Sequence, residues 1–146
     1  MAHAERTVTV NRSPNEVFDF ILEGKNNPIW RPAVADIVKL PGTPSGVGAA
    51  FKQGMKGPGG RRIDADYKIV ECDRPRQIKF EVTAGPARPN GNYSLAAQGS
   101  STILTFVLDF QPKGLAKLMD GMIQKQMEEE VATLENLKKH LELAGR

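Results

Sequence analysis

Apolar and polar side chains alternate along most of the chain, with the period of two residues that is typical of β-strands. Residues 7–10 read Thr-Val-Thr-Val, and residues 63–69 place an apolar side chain at every odd position. Residues 78–83 do the same at every even position. Strands of this kind have one polar and one apolar face. The pattern therefore predicts a sheet whose polar face meets water and whose apolar face needs a cover.

Turn signals rich in glycine and proline divide this pattern into separate strands. The predicted strands cover residues 6–12, 33–40, 47–55, 61–72, 76–84, 92–98 and 101–110. After the first strand, Ser13 and Pro14 begin a short helix, and Glu16 completes a capping box. Pro28 and Pro32 limit the next segment to about one turn of helix. The predicted order is one strand, two short helices and six more strands.

After Pro112 the apolar period changes to three and four residues and stays so to about Leu143, which predicts a helix. About thirty residues at 1.5 Å each give a helix about 45 Å long. No predicted strand is as long, so only this helix can cover the whole apolar face of the sheet. The sequence thus predicts an α+β fold in which a curved, seven-stranded antiparallel sheet wraps around a long C-terminal helix.

Length, charge and cysteine content narrow the class of protein. The chain has 146 residues, which fits a single domain over residues 1–146 with a core of its own. Its one cysteine, Cys72, excludes an internal disulfide and favours a reducing, cytoplasmic location. No apolar run has the length of a signal peptide or membrane span. The net charge of +3 is small and the basic residues are scattered, so we expect no nucleic-acid partner.

Five motifs join the element order in pointing to a known family. In chain order they are SPNEVF from Ser13, WRP from Trp30, GVGAAF from Gly46, IVECDRPRQI from Ile69 and GSST from Gly99. Together they resemble the START-like superfamily, also called SRPBCC, and within it the polyketide cyclase/dehydrase-like branch. The resemblance covers nearly the whole chain and implies a helix-grip fold that encloses an apolar cavity. It does not define an activity, because the family includes lipid carriers, hormone receptors, ring-closing enzymes and co-chaperones.

Few residues are placed for catalysis or for binding a cofactor. His3 and His140 lie near the two ends of the chain, and no Ser/His/Asp or HExxH pattern is present. The glycine-rich stretch at residues 54–60 lacks the Gly-Lys-Ser/Thr of a phosphate-binding loop, so we interpret it as a hairpin at the cavity mouth. Arg61 and Arg62 beside it offer a minority option for holding a ligand carboxylate or phosphate. We expect no cofactor and no metal.

The candidate ligand site is the apolar bulk of the inner face, together with a few polar groups. Its residues are Trp30, Phe51, Gln53, Met55, Tyr67, Phe80, Tyr93, Phe106, Met119, Met122 and Ile123. Methionine suits a cavity because its thioether repacks around varied shapes, although for each apolar residue taken alone a plain core is the favoured interpretation. Gln53 needs a polar partner, which a ligand or water could supply. Trp30 is expected half-exposed at the cavity rim, and the alternative is a hydrophobic plug.

Three functions remain open from the sequence. The leading hypothesis is a monomer or homodimer that binds a small hydrophobic or amphipathic molecule, such as a lipid or polyketide, in the cavity. The second is an enzyme of the cyclase or dehydratase kind, with Tyr67 or Tyr93 as acid or base. The third is a protein-interaction module of the co-chaperone kind, which would use the charged helix face around residues 128–130. A solid core without a cavity would favour the third.

Overall fold

A computed structural model describes residues 2–85, 87–111 and 120–144 of the chain. The strands are β1 (Ala2–Val10), β2 (Val34–Lys39), β3 (Ala50–Lys56), β4 (Arg62–Asp64), β5 (Tyr67–Asp73), β6 (Gln77–Val82), β7 (Asn90–Gln98) and β8 (Ser101–Phe110). The helices are α1 (Pro14–Leu22), α2 (Asn27–Trp30), α3 (Asp120–Ala132) and α4 (Leu134–Ala144). The order agrees with the prediction, with two short helices between the first two strands, except that one predicted strand and the C-terminal helix are each divided in two. None of the described helices has the length and apolar character needed to cross a membrane.

The strands form one antiparallel sheet in the order β1-β8-β7-β6-β5-β3-β2, and the short β4 pairs with β3. The curled sheet of seven strands against a C-terminal helical segment confirms the predicted helix-grip fold. The strand predicted over residues 61–72 is divided into β4 and β5. Between them, Asp66 accepts a hydrogen bond from the backbone N–H of Gln53 at 3.1 Å through its carboxylate. A side chain there takes the place of a backbone carbonyl, which interrupts the ladder.

The predicted inner face is the buried one. In β5 and β6 the buried side chains are Tyr67, Ile69, Ile78 and Phe80, which are the apolar positions of the alternating pattern.

The segment between α1 and α2 packs closely against this inner face at Gly24. A side chain on Gly24 would place its Cβ 2.5 Å from Phe51 Cε1 and 2.9 Å from the Tyr67 hydroxyl oxygen, so only glycine allows this close approach.

The long C-terminal helical segment is present, and an interruption at Thr133 divides its described part into α3 and α4. Both the backbone N–H and the hydroxyl of Thr133 donate hydrogen bonds to the carbonyl oxygen of Glu130. An uninterrupted helix would offer that carbonyl to the N–H of Leu134, four residues on. The threonine side chain competes for this acceptor and ends α3. The first part of the predicted helix, residues 112–119, lies outside the described residues.

Candidate functional site

An internal cavity of about 620 Å³ lies between the inner face of the sheet and α3. The sheet contributes a largely apolar wall, and α3 faces it from the other side with Ile123 and Met127. Small-molecule sites in proteins typically measure about 300–1,000 Å³ and have apolar walls with a few polar groups. The cavity therefore has the size and lining of a site for a small organic molecule.

The mouth of the cavity is marked by lining residues that are themselves exposed. Lys56 and Asp64 come from the hairpin that joins β3 to β4, and Met122, 46% exposed, and Glu129 come from α3. The glycine-rich hairpin does lie beside the cavity, since Gly57 also lines it. The guanidinium of Arg62 binds the carboxylates of Asp36 and Asp64 and does not line the cavity. The structure therefore adds no support to the option that Arg62 holds a ligand carboxylate or phosphate.

The most unusual group in the cavity wall is the guanidinium of Arg31, which is only 7% exposed. Its Nε makes an ion pair with Glu130 Oε1, with both side chains largely buried. Burial lowers the pKa of Arg31, but the charge and hydrogen bond of Glu130, together with the nearby Tyr93 and Tyr67, outweigh it and the net pKa is raised. Nη2 lies 3.9 Å from the sulfur of Met55, whereas Nη1 has no hydrogen-bond partner among the described residues. The cavity wall thus contains a permanently charged donor whose Nη1 hydrogens are unpaired as far as the described residues go.

Tyr93 stands next to this ion pair. Its ring stacks on Phe106 at a centroid distance of 4.5 Å, and burial raises the pKa of its hydroxyl, an effect that the charge of Arg31 only partly opposes. Within the described part of the chain the hydroxyl has no hydrogen-bond partner. A phenol with a raised pKa stays protonated at neutral pH. Tyr93 is therefore suited to donate a hydrogen bond and poorly suited to act as a base.

A second polar cluster occupies the wall formed by β3, β5 and α2. The side-chain amide of Asn27 donates to Gln53 Oε1 and to the Tyr67 hydroxyl oxygen, each at 3.0 Å. Gln53 in turn donates to the carbonyl of Ala65 at 3.3 Å, so protein groups supply the polar partners of Gln53 without a ligand or water. Because the Tyr67 oxygen accepts from Asn27, its own proton remains available for donation. Burial raises the pKa of Tyr67 as well.

The structure assembles most of the predicted site but not all of it. Seven of the predicted residues line the cavity, namely Gln53, Met55, Tyr67, Phe80, Tyr93, Met122 and Ile123. Phe51 and Phe106 do not, because each ring lies behind a tyrosine. Phe51 stacks on Tyr67 at 4.9 Å, and Phe106 stacks on Tyr93. Met119 lies outside the described residues.

Trp30 is buried and does not lie half-exposed at the cavity rim, so that prediction was wrong. The indole is 1% exposed. It packs edge-to-face with Tyr93 and Phe106, at ring-centroid distances of 6.3 Å and 6.1 Å. It does not line the cavity. Its side chain is buried because α2 presses it against the aromatic cluster of the sheet, which matches the alternative of a hydrophobic plug. In the described structure its N–H is buried without a hydrogen-bond partner.

Sequence reasoning missed Asn27, Arg31 and Glu130. Asn27 and Arg31 flank a proline-containing segment, and Glu130 belongs to an acidic run that was assigned to the helix surface. The structure places Glu130 inside, so the exposed acidic face is smaller than predicted. A short polar segment next to a tryptophan was the only available signal. Among the described residues, no group of three or more histidine, cysteine or acidic side chains could hold a metal ion.

Comparison with known proteins agrees with the fold. The family described as polyketide cyclase/dehydrase and lipid transport matches residues 1–142. The crystal structure of TTHA0849 from Thermus thermophilus has a TM-score of 0.82 at 15% identity and covers 99% of both chains. A START superfamily protein from Mycobacterium smegmatis has a TM-score of 0.76 at 21% identity, over 97% of this chain and 95% of that one.

A third similar structure is an enzyme. The Zhui aromatase/cyclase from Streptomyces sp. R1128 has a TM-score of 0.79 at 16% identity, over 99% of this chain and 95% of that chain. No curated protein sequence matches the chain. At these identities the structural similarities establish the fold, and the family match establishes the kinship.

Proposed function

The chain belongs to the polyketide cyclase/dehydrase and lipid transport family, and on that premise we propose that its cavity binds a small hydrophobic or amphipathic molecule. The observation that carries the proposal is the cavity of about 620 Å³ itself. Its wall is mostly apolar, and a few hydrogen-bonding groups converge on it from α2, α3 and the sheet. A packed core would fill such a space, because interiors are normally close-packed.

The polar groups define how such a molecule would be oriented. Arg31, Tyr93 and Tyr67 offer donors on the cavity side, while Ile123 and Met127 offer apolar contacts from α3. A molecule with an apolar body and one oxygen-bearing end satisfies both kinds of contact. We propose that it is held by a single domain in the cytoplasm, as a monomer or homodimer.

A cavity-filling variant tests this proposal. Ala65 is buried and lines the cavity, so Ala65→Phe places a ring in the space that a ligand would use. Ala35 is exposed on β2 and does not line the cavity, which makes Ala35→Phe the matched control. Nile red, a neutral apolar dye, should bind saturably to the wild type and to Ala35→Phe, and Ala65→Phe should lose binding. Equal binding by all three proteins would show that the dye uses another surface and would contradict the proposal.

A second candidate function is catalysis of ring closure or dehydration in the same cavity. The observation that favours it is the convergence of two donors, the Arg31 guanidinium and the protonated Tyr93 hydroxyl. Such a pair can polarise a carbonyl and stabilise negative charge that develops on its oxygen. Under this candidate, Tyr93→Phe should keep affinity for a bound carbonyl compound and reduce its turnover by about 100-fold or more. If Tyr93→Phe turned the compound over at the wild-type rate, the catalytic candidate would be contradicted and the binding function would stand alone.

A further inference from the structure

The charges in the cavity wall are arranged in two zones. Five of the described lining residues carry a charge. Lys56, Asp64 and Glu129 are exposed at the mouth. Arg31 and Glu130 are buried, with side chains 8% and 13% exposed, and they contact each other directly. The inner zone therefore contains one positive and one negative charge, which neutralise each other.

This neutral pair changes what the inner zone can hold. A lone buried guanidinium would attract a carboxylate, because Arg and carboxylate form strong, charge-assisted hydrogen bonds. Here Glu130 already occupies that role at Nε of Arg31. A ligand carboxylate would add a second negative charge beside Glu130 in a site shielded from water, where like charges repel strongly.

The donors that remain are nevertheless free to bind an uncharged acceptor. Nη1 of Arg31 and the hydroxyl of Tyr93 have no hydrogen-bond partner in the described structure, and the Tyr67 proton is also available. A carbonyl or hydroxyl oxygen satisfies such donors without bringing a net charge. Leaving them unpaired when a purely apolar ligand binds would cost the desolvation of each group.

We propose that the cavity selects uncharged molecules with a carbonyl or hydroxyl oxygen, and that Glu130 is the residue that excludes carboxylates. The proposal rests on the binding function above and names the chemical class of its ligand. Glu130 acts here as a specificity-determining residue, since it fills the position that a ligand acid would otherwise take on Arg31.

Two matched probes test the selectivity directly. Decanamide and decanoate have the same alkyl chain and differ in the charge of the head group, and at about pH 8 the acid is fully ionised. Each is titrated against Nile red bound to the folded protein. In the wild type, decanamide should displace the dye at a concentration at least about tenfold lower than decanoate.

Variants at Glu130 and Glu128 test whether Glu130 causes the preference for the uncharged probe. Glu130→Gln leaves the charge of Arg31 uncompensated. The concentration of decanoate that displaces the dye should therefore fall at least about tenfold, close to or below that of decanamide. Glu128→Gln is the matched control, because Glu128 is exposed on the same helix and does not line the cavity. It should behave as the wild type. A cooperative thermal transition for each variant shows that it is folded.

The outcomes separate this proposal from the binding function. If Nile red binds but decanoate displaces it as well as decanamide does, or neither displaces it, the selectivity proposal is overturned and the cavity remains a binding site. If Glu130→Gln and the wild type share one preference for the amide, the selectivity does not come from Glu130 and that assignment is overturned. Should Glu130→Gln fail to fold, the comparison of the two probes in the wild type decides alone. Failure of Nile red to bind at all would overturn the binding function itself.

Discussion

The two helices at the end of the described chain lie against one sheet in opposite surroundings. In α4 the apolar stripe is fully enclosed, with Leu134 and Leu137 at 0% exposure, and it contacts β1 and α2. In α3 the apolar residues Ile123 and Met127 face the cavity, and Met122 lies half-exposed at its mouth. The same kind of stripe thus closes a solid core in one helix and forms a cavity wall in the other.

This difference shows that an amphipathic pattern records which face is buried, without recording what the face is buried against. In α4, Leu134 and Leu137 are fully buried against protein neighbours. The α3 wall instead uses a flexible methionine, Met127, which can repack around varied shapes. Helix α3 is also held in place differently from α4, because the ion pair between Glu130 and Arg31 connects α3 to the end of α2. The α4 end should therefore dominate stability, and the α3 end should dominate ligand binding.

Leu137→Ala should have the largest effect on stability. Removing a fully enclosed leucine creates a cavity that the neighbours cannot fill, which costs about 2–5 kcal/mol. We expect the upper part of that range for Leu137 and a loss of no more than about 2 kcal/mol for Met127→Ala, which only enlarges an existing cavity. Urea denaturation measures both free energies of unfolding. Equal losses at the two positions would mean that α3 closes a core as solid as that of α4.

Arg31→Met should come next, with a loss of about 3 kcal/mol, because it leaves the carboxylate of Glu130 buried without its partner. The double variant Arg31→Met with Glu130→Leu removes both charges and should recover most of the loss. The same denaturation series measures all three proteins. A double variant as unstable as the single one would show that packing, and not the ion pair, fastens α3 to α2.

Alkaline pH should destabilise the protein through the tyrosines of the cavity wall. Burial raises the pKa of Tyr67 and Tyr93 in the folded state, so their contribution is complete below the unfolded value of about 10 and is lost as pH rises above it. The loss from Tyr93 should be about 1.4 kcal/mol per pH unit in that range. Ultraviolet absorbance of tyrosinate reports the ionisation, with the urea-unfolded chain as the control. Half-ionisation of the folded protein at about pH 10 would mean that water reaches both hydroxyls.

Met122→Ala should have the smallest effect on stability, within about 0.5 kcal/mol, because the side chain is half-exposed. Its place at the mouth predicts a change in the rate of Nile red release instead. Stopped-flow dilution of the dye complex measures this rate, with Leu143→Ala as the control, since Leu143 is exposed on α4. Identical release from both variants would remove Met122 from the mouth of the cavity.

Much of the fold could be predicted from the sequence because the alternating pattern of β5 and β6 fixes their inner face. The seven predicted residues that line the cavity follow from that face and from the stripe of α3. Arg31 and Glu130 could not be found in this way, because they are 99 positions apart and no local period links them. Trp30 was misplaced for a related reason, since its aromatic neighbours come from β7 and β8. The break at Thr133 depends on one side-chain hydrogen bond, which an apolar period does not record.

The contrast between the two helices is tested most directly by hydrogen–deuterium exchange with and without saturating Nile red. If the cavity beside α3 is the binding site, the dye should slow exchange in peptides covering residues 120–132 and around the β3–β4 hairpin. Peptides covering residues 134–144 should exchange at the same rate in both states, because α4 already closes a solid core. Protection confined to α4, or no protection of α3 while the dye is bound, would contradict the account.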